Sequence, residues 1–340
     1  MASAPTLDRP LVIGGVTVGN RVFLAPMSGI TDEPFRARSV RHGAGLVVSE
    51  MVASGELAKG REKSTLRIRR PDVPVHVVQL AGRNPHWMAE GARIAVDGGA
   101  DVIDINMGCP AKKVTGGYCG SALMREPDHA LALIEAVVAA VSVPVTVKMR
   151  LGWDETALNA PDIARRAENA GVQMITVHGR TRCQFYQGRA DWRAIARVKQ
   201  VVSIPVVANG DVKNRADTLE ILEQSGADAV MIGRAHNGVP WLAGSIAAQD
   251  GVAYGQPTTN AELADYVVAH YEDMLSLYGI ASGLRQARKH LGWYFDRHAP
   301  TAPPALRSRA MTSFDPAAVM AAVREALGNA AAPEITKEAA

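Results

Sequence analysis

Cysteine is scarce in this 340-residue chain, which holds three, Cys109, Cys119 and Cys183. So few, and an odd number, cannot build a disulfide framework and suit a reducing cytoplasm. Net charge is nearly absent too. Lys and Arg total 37 against 34 Asp and Glu, a formal +3, so an anionic partner must be met by a local patch. No apolar run reaches the roughly 18 residues that a membrane span needs; "AVVAAVSVPVTV" is too short and carries a proline. The opening "MASAPTLDRPLVIGG" lacks the basic start and apolar block of a secretory signal. There is no fixed-period repeat, and no glycine-rich dinucleotide fingerprint follows any apolar run. What these absences leave is a soluble, cytoplasmic protein. Its 47% hydrophobic content is enough for a large core.

What is present is an alternation. Eight short, β-branched runs occur: "RVFLAPM" (21–27), "GLVVSE" (45–50), "VHVVQL" (75–80), "DVIDIN" (101–106), "VPVTVKMR" (143–150), "QMITVHG" (173–179), "IPVVANGD" (204–211) and "DAVMIG" (228–233). Amphipathic stretches such as "TLEILEQSGA" lie between them, this one closing on glycine as a helix C-cap does. Runs this apolar fit parallel strands covered by helices, and eight such units match a (β/α)8 TIM barrel better than a doubly wound sheet. The expected division is a barrel over 1–245, a C-terminal helical domain over 246–330, and a tail over 331–340.

Chemistry in a barrel sits at the C-terminal ends of its strands. Gln79, Asn106, Lys148, His178 and Asn209 all fall there, and strand alternation puts Asp104 with Asn106, Thr146 with Lys148, and Thr176 with His178. One such residue is an ordinary solvated strand end, but five converging on one mouth indicate a ligand site. After runs seven and eight, "ANGDV" and "GRAHNGVPW" supply Gly210 and Gly233, which let backbone approach an anion, and Arg234, which adds charge. The implied ligand joins a polar ring system to a phosphate, as FMN does. Lys148 near the ring would favour its anionic reduced form. In "INMGCPAKKV", Cys109 follows the fourth strand. The residues alone leave it either a buried small hydrophobe or a reagent.

Taken in order, "APMSGITDEPFR", "DINMGCPAKKV", "VPVTVKMRLGW", "TVHGRTR", "VVANGDV" and "AVMIGRA" resemble the signatures of the bacterial tRNA-dihydrouridine synthases, and within them the B-type subfamily, from about Val12 to about Pro300. That resemblance implies reduction of the C5–C6 double bond of particular uridines in tRNA, with FMN as cofactor and NADPH as reductant. It implies flavin contacts from Pro26, Met27, Ser28, Gln79 and Lys148, and a phosphate end at His178, Asn209, Gly210, Asp211, Gly233 and Arg234. Cys109 is implied as the proton donor. A free thiol, with a pKa around 8.5, is mostly protonated at neutral pH and is a usable acid without tuning. Asn106 is expected on the uracil edge. Cys119 departs from the usual small non-thiol residue there, and with Cys183 it is expected to be inert.

A folded RNA substrate calls for a basic surface. Residues 260–325 are expected to be helical, and Arg285, Arg288 and Lys289, at i, i+3 and i+4, share a face expected to meet tRNA. "KGREKSTLRIRR" (59–70), after the second strand, is a further candidate. No metal and no membrane partner are expected, and the chain is taken as a monomer. Two other classes share features with this reading. An FMN barrel acting on a free pyrimidine-like small molecule would not bind RNA, and a non-catalytic RNA binder on a retired barrel would not hold flavin.

Overall fold

The computed structural model describes residues 6–330, apart from the side chain of Lys113; the expected tail, 331–340, lies outside the described residues. A hairpin comes first, β1 (Leu11–Ile13) paired antiparallel with β2 (Val16–Val18). Its turn holds Gly14 at φ +57, where a Cβ would come within 2.8 Å of Pro144 Cγ, so conformation and space both require glycine.

Parallel strands follow: β3 (Val22–Leu24), β4 (Leu46–Val47), β5 (Val52–Ala53), β6 (Val77–Ala81), β7 (Val102–Met107), β8 (Val145–Arg150), β9 (Met174–His178), β10 (Val206–Asn209) and β11 (Ala229–Ile232). The ladder runs β4-β3-β11-β10-β9-β8-β7-β6-β5. Its two ends, β4 and β5, are halves of one strand position, and a bridge from Val48 to Val77 closes the ring. The fold is therefore a (β/α)8 barrel. All eight expected runs are strands. The second is split because Ser49 Oγ accepts the Gln79 N–H at 2.9 Å where a backbone carbonyl would continue the ladder.

The helices are α1 (Glu33–Arg41), α2 (Ser54–Ala58), α3 (Glu62–Ile68), α4 (Pro85–Asp97), α5 (Lys112–Thr115), α6 (Pro127–Val138), α7 (Ala160–Asn169), α8 (Trp192–Lys199), α9 (Arg215–Ser225), α10 (Leu242–Ala247), α11 (Asn260–Tyr278), α12 (Ile280–His298), α13 (Pro304–Thr312) and α14 (Pro316–Gly328). Local chemistry sets their ends. Asp32, Asn84, Asp191 and Asn214 each cap a helix through a side-chain oxygen, Gly226 closes α9 in the left-handed region, and Thr259 with Glu262 forms a capping box on α11.

Strand alternation divides the core into two layers. Val78, Leu80, Ile103, Ile105, Val147, Ile175 and Val177 face outward and pack with the surrounding helices. Phe23, Leu46, Val77, Val102, Met174, Val207 and Met231 face inward and, with Ile13 and Val18 of the hairpin, seal the barrel floor. Above that floor the inward positions turn polar. The expected 245/246 division falls inside α10, whose Ala243, Ile246 and Ala247 pack with the barrel layer, while α11 to α14 enclose their own core around Val267, Tyr294, Phe295 and Val323. No helix among the described residues is long and apolar enough to cross a membrane.

Candidate active site at the barrel mouth

A cavity of about 800 Å³ opens at the C-terminal ends of the strands. Pro26, Met27 and Ser28 line it from the loop after β3, Gln79, Asn106, Lys148, His178 and Asn209 from strand ends, and Gly210, Asp211, Gly233 and Arg234 from the loops after β10 and β11; Cys109 lines it too. Thirteen expected cavity residues, from seven strands and the loops that follow them, thus share one space, of a size usual for ligand sites.

Its inner wall is a hydrogen-bonded chain. Thr146 Oγ1 donates to Asp104 Oδ1 at 2.6 Å, Gln79 Nε2 donates to Asp104 Oδ2 at 2.7 Å, and Asn106 Nδ2 donates to Gln79 Oε1 at 2.7 Å. Asn106 Oδ1 accepts the backbone N–H groups of Gly108 at 3.2 Å and Cys109 at 3.0 Å. Asn106 therefore fixes the Cys109 turn with groups that a uracil edge would otherwise engage. Ser121 Oγ donates to the Cys109 carbonyl at 2.8 Å, and Arg150 Nε to the Gly108 carbonyl at 2.8 Å. The thiol stands on a backbone pinned from both sides. Cys119 donates to the Gly117 carbonyl, and burial pushes its thiol pKa up; Cys183 is exposed.

Lys148 Nζ donates to Asn209 Oδ1 at 2.9 Å, and Asn209 Nδ2 donates to the Met231 carbonyl at 2.7 Å. Burial, reinforced by the neighbouring Arg150, pulls the Lys148 pKa down to about 8, while Asp104 opposes that fall. Burial also raises Asp104. His178 is driven well below its ordinary value, first by burial and then by Arg150, Lys148, Arg180 and Arg234, and is neutral. A guanidinium only donates, so the 3.2 Å contact from Arg180 makes His178 Nε2 an acceptor and puts its proton on Nδ1. Asp211 is occupied by Arg180 at 2.6 Å and by the Ala190 N–H at 2.7 Å. Gly210 has φ +129, and a Cβ there would lie 2.7 Å from Ala190 Cβ and 3.0 Å from His178 Cδ2.

The basic residues expected to meet RNA are spread out. Arg285 is exposed, Arg288 lies half-buried with its guanidinium 5.6 Å from the Phe314 ring, and Lys289 donates to Gln286 at 3.1 Å and reaches over Gly29. The 59–70 stretch runs from the C-cap of α2 through α3, with Arg67 on Glu50, Arg69 on Glu33 and Arg70 on Asp101.

A family model described as dihydrouridine synthase matches residues 23–332. The chain belongs to the dihydrouridine synthase family. A Rhizobium leguminosarum bv. phaseoli protein named "Probable tRNA-dihydrouridine synthase" is 59% identical over 312 residues, 92% of this chain and 96% of that one. A Rhodobacter capsulatus protein of the same name is 58% identical, over 90% and 94% of the two chains. "tRNA-dihydrouridine synthase B" of Xanthomonas campestris pv. campestris is 47% identical, over 85% and 88%. Among solved structures, morphinone reductase aligns with a TM-score of 0.54 at 14% identity, over 75% of this chain and 92% of that one. Histamine dehydrogenase from Rhizobium sp. 4-9 gives 0.53 at 14%, over 70% and 47%. At that identity the two share the barrel fold.

Around the mouth of this dihydrouridine synthase family member stand residues that sequence reasoning passed over. Arg150 was findable, since it follows Lys148 by two on one strand and shares its inward face; it lines the cavity and donates to the Thr181 and Phe185 carbonyls at 2.8 Å each. Arg180, two after His178, carried the same signal. Tyr186 carried none, because it arrives on the 181–190 loop. Its ring centroid lies 4.7 Å from the Arg234 guanidinium and 5.5 Å from that of Arg150.

Proposed function

We propose that the chain is a cytoplasmic tRNA-dihydrouridine synthase that uses FMN and NADPH to reduce the C5–C6 double bond of specific uridines. One arrangement carries the reading: Cys109 and Lys148 line the same cavity as Arg150 and Arg234, and Arg180 pairs with Asp211 in its wall. Two observations fit FMN to it. Gly233 puts bare backbone in the cavity wall, where no atom comes nearer its Cβ position than Ala25 Cβ and Met27 Sδ at 3.7 Å, and Lys148 is a half-buried cation hydrogen-bonded to a neutral amide, a charge that an anionic group relieves.

In this reading Pro26, Met27, Ser28, Gln79 and Lys148 hold the ring system. His178, Asn209, Gly210, Asp211, Gly233 and Arg234 form the phosphate end, with Asp211 acting through Arg180. When bound, FMN supplies the hydride that reaches C6 of the uracil, and NADPH restores it. Cys109 gives its thiol proton to C5, so two C–H bonds replace the π bond and the thiolate regains a proton from solvent. Asn106 holds the turn that aims the thiol, and the buried Asp104 keeps the Gln79 and Asn106 amides oriented. Lys148 stays protonated beside a bound anion, since such a neighbour favours its charged form.

Purified protein should be yellow or take up added FMN, and pre-reduced protein should be oxidised in a single turnover by tRNA lacking dihydrouridine. A protein that binds no FMN, or one whose reduced form ignores that tRNA, would overturn the reading.

A further inference from the structure

Five phenylalanines are present, and four are wholly or partly covered by the fold; Phe23, Phe35 and Phe295 are fully buried. Phe314 is 80% exposed, at the turn between α13 and α14. Its surroundings are cationic rather than apolar. Arg288 of α12 stands 5.6 Å from its ring centroid, Arg285 is exposed one turn earlier, and Arg309 is exposed on α13, its carbonyl accepting the Ser313 N–H at 3.1 Å. Among the described residues none of these three arginines has an acidic partner within 4 Å, whereas nearby Arg307 and Arg324 do. The adjacent carboxylate, Asp315, is engaged in capping α14 through the Ala317 N–H.

A flat, exposed ring backed by uncompensated guanidinium groups suits neither a lipid surface nor an apolar protein partner. It suits an unstacked nucleobase with its phosphate, because every base offers a π-face and each phosphate a charge. The course of α12 gives the distance. Arg297, near its C-terminal end, lines the cavity and donates to the Ala235 carbonyl at 3.3 Å. Arg288 precedes it by nine residues, about 14 Å along a helix axis at 1.5 Å per residue.

We propose that Phe314, backed by Arg288, is a stacking platform for an unpaired nucleobase of the RNA substrate, a nucleotide other than the one that enters the cavity. The inference rests on the reading of the chain as a tRNA-acting enzyme and names a contact by which the α12–α14 surface sets the orientation of that tRNA. Stacking is not ionic, so it separates from phosphate contacts by its salt dependence.

The test is equilibrium binding of unmodified tRNA transcript, and of a blunt RNA duplex of similar length, to FMN-loaded wild type, Phe314→Ala, Phe314→Trp and Arg288→Ala across a salt series. Thermal midpoints confirm that each variant is folded. Phe314→Ala should weaken tRNA binding about 5- to 150-fold with an unchanged salt slope and leave duplex binding alone. Phe314→Trp should restore affinity, and Arg288→Ala should lower the slope. Equal tRNA affinity in Phe314→Ala, or an equal loss on the duplex, would overturn the platform and leave the enzyme reading standing. Failure of wild type to bind tRNA at all would overturn both.

Discussion

Lys148→Met tests the electrostatics of the cavity without relying on turnover. The lysine is half-buried against Asn209, and its pKa falls from 10.5 to about 8 in the folded protein. Below about pH 8 folded and unfolded chains both carry the proton, so the full penalty of the buried charge is present. Between about 8 and 10.5 the folded chain has released the proton while the unfolded chain keeps it. The unfolded state then binds more protons, and stability rises with pH. A drop of about 2.5 in pKa, at 1.36 kcal/mol each, makes this about 3 kcal/mol. Methionine keeps most of the volume and removes the titration. It also strands Asn209 Oδ1 without its donor, a loss that does not vary with pH. Wild type should therefore gain about 3 kcal/mol on Lys148→Met between pH 7 and pH 10.5, read by denaturant unfolding of cofactor-free protein at several pH values. Saturating FMN should flatten this difference, because an anion beside Lys148 raises its pKa again. Parallel stability curves for the two proteins, with no pH-dependent gap, would refute the burial of an under-compensated charge.

Cys109→Ala should load FMN and be reduced by NADPH normally, yet lose about 10²–10⁴ in the single-turnover rate with tRNA, the usual cost of a missing general acid; Cys119→Ala should match wild type, and the reverse pattern would move the assignment to Cys119. Gly210→Ala forces a Cβ to 2.7 Å from Ala190 Cβ at φ +129, so it should weaken FMN binding in a titration and lower the thermal midpoint. Arg285→Ala with Arg288→Ala should lower the salt slope of tRNA binding by about 1.4–1.8, the value for two phosphate contacts. An unchanged slope would make those arginines a solvated surface only.

The eight strands were legible because β-branched apolar runs of six to eight residues, buried on both sides, have few other uses. The inward polar set was legible for a related reason. A polar residue at every second position of such a run can only face the barrel lumen, which is how Gln79, Asn106, Lys148 and His178 stood out. The split of the second strand was not legible, because it depends on Ser49 Oγ meeting the backbone of β6. The hairpin β1–β2 was missed as well, being three residues a side and recognisable only by the floor it seals.

The chain's periodicity thus determined the barrel, the end of it that carries chemistry, and the strand-end groups, since all three follow from alternation within single segments. Only the tertiary structure decided which partner each group takes. Asn106 is turned to the Cys109 backbone, Asp211 to Arg180, and Lys289 to the loop at Gly29, while Arg288 stands beside Phe314. Tyr186 reaches the mouth on a loop with no period to betray it. These pairings join residues that are close in space and distant in sequence, and the energy of a hydrogen bond or a buried charge depends on that closeness, which no local pattern encodes.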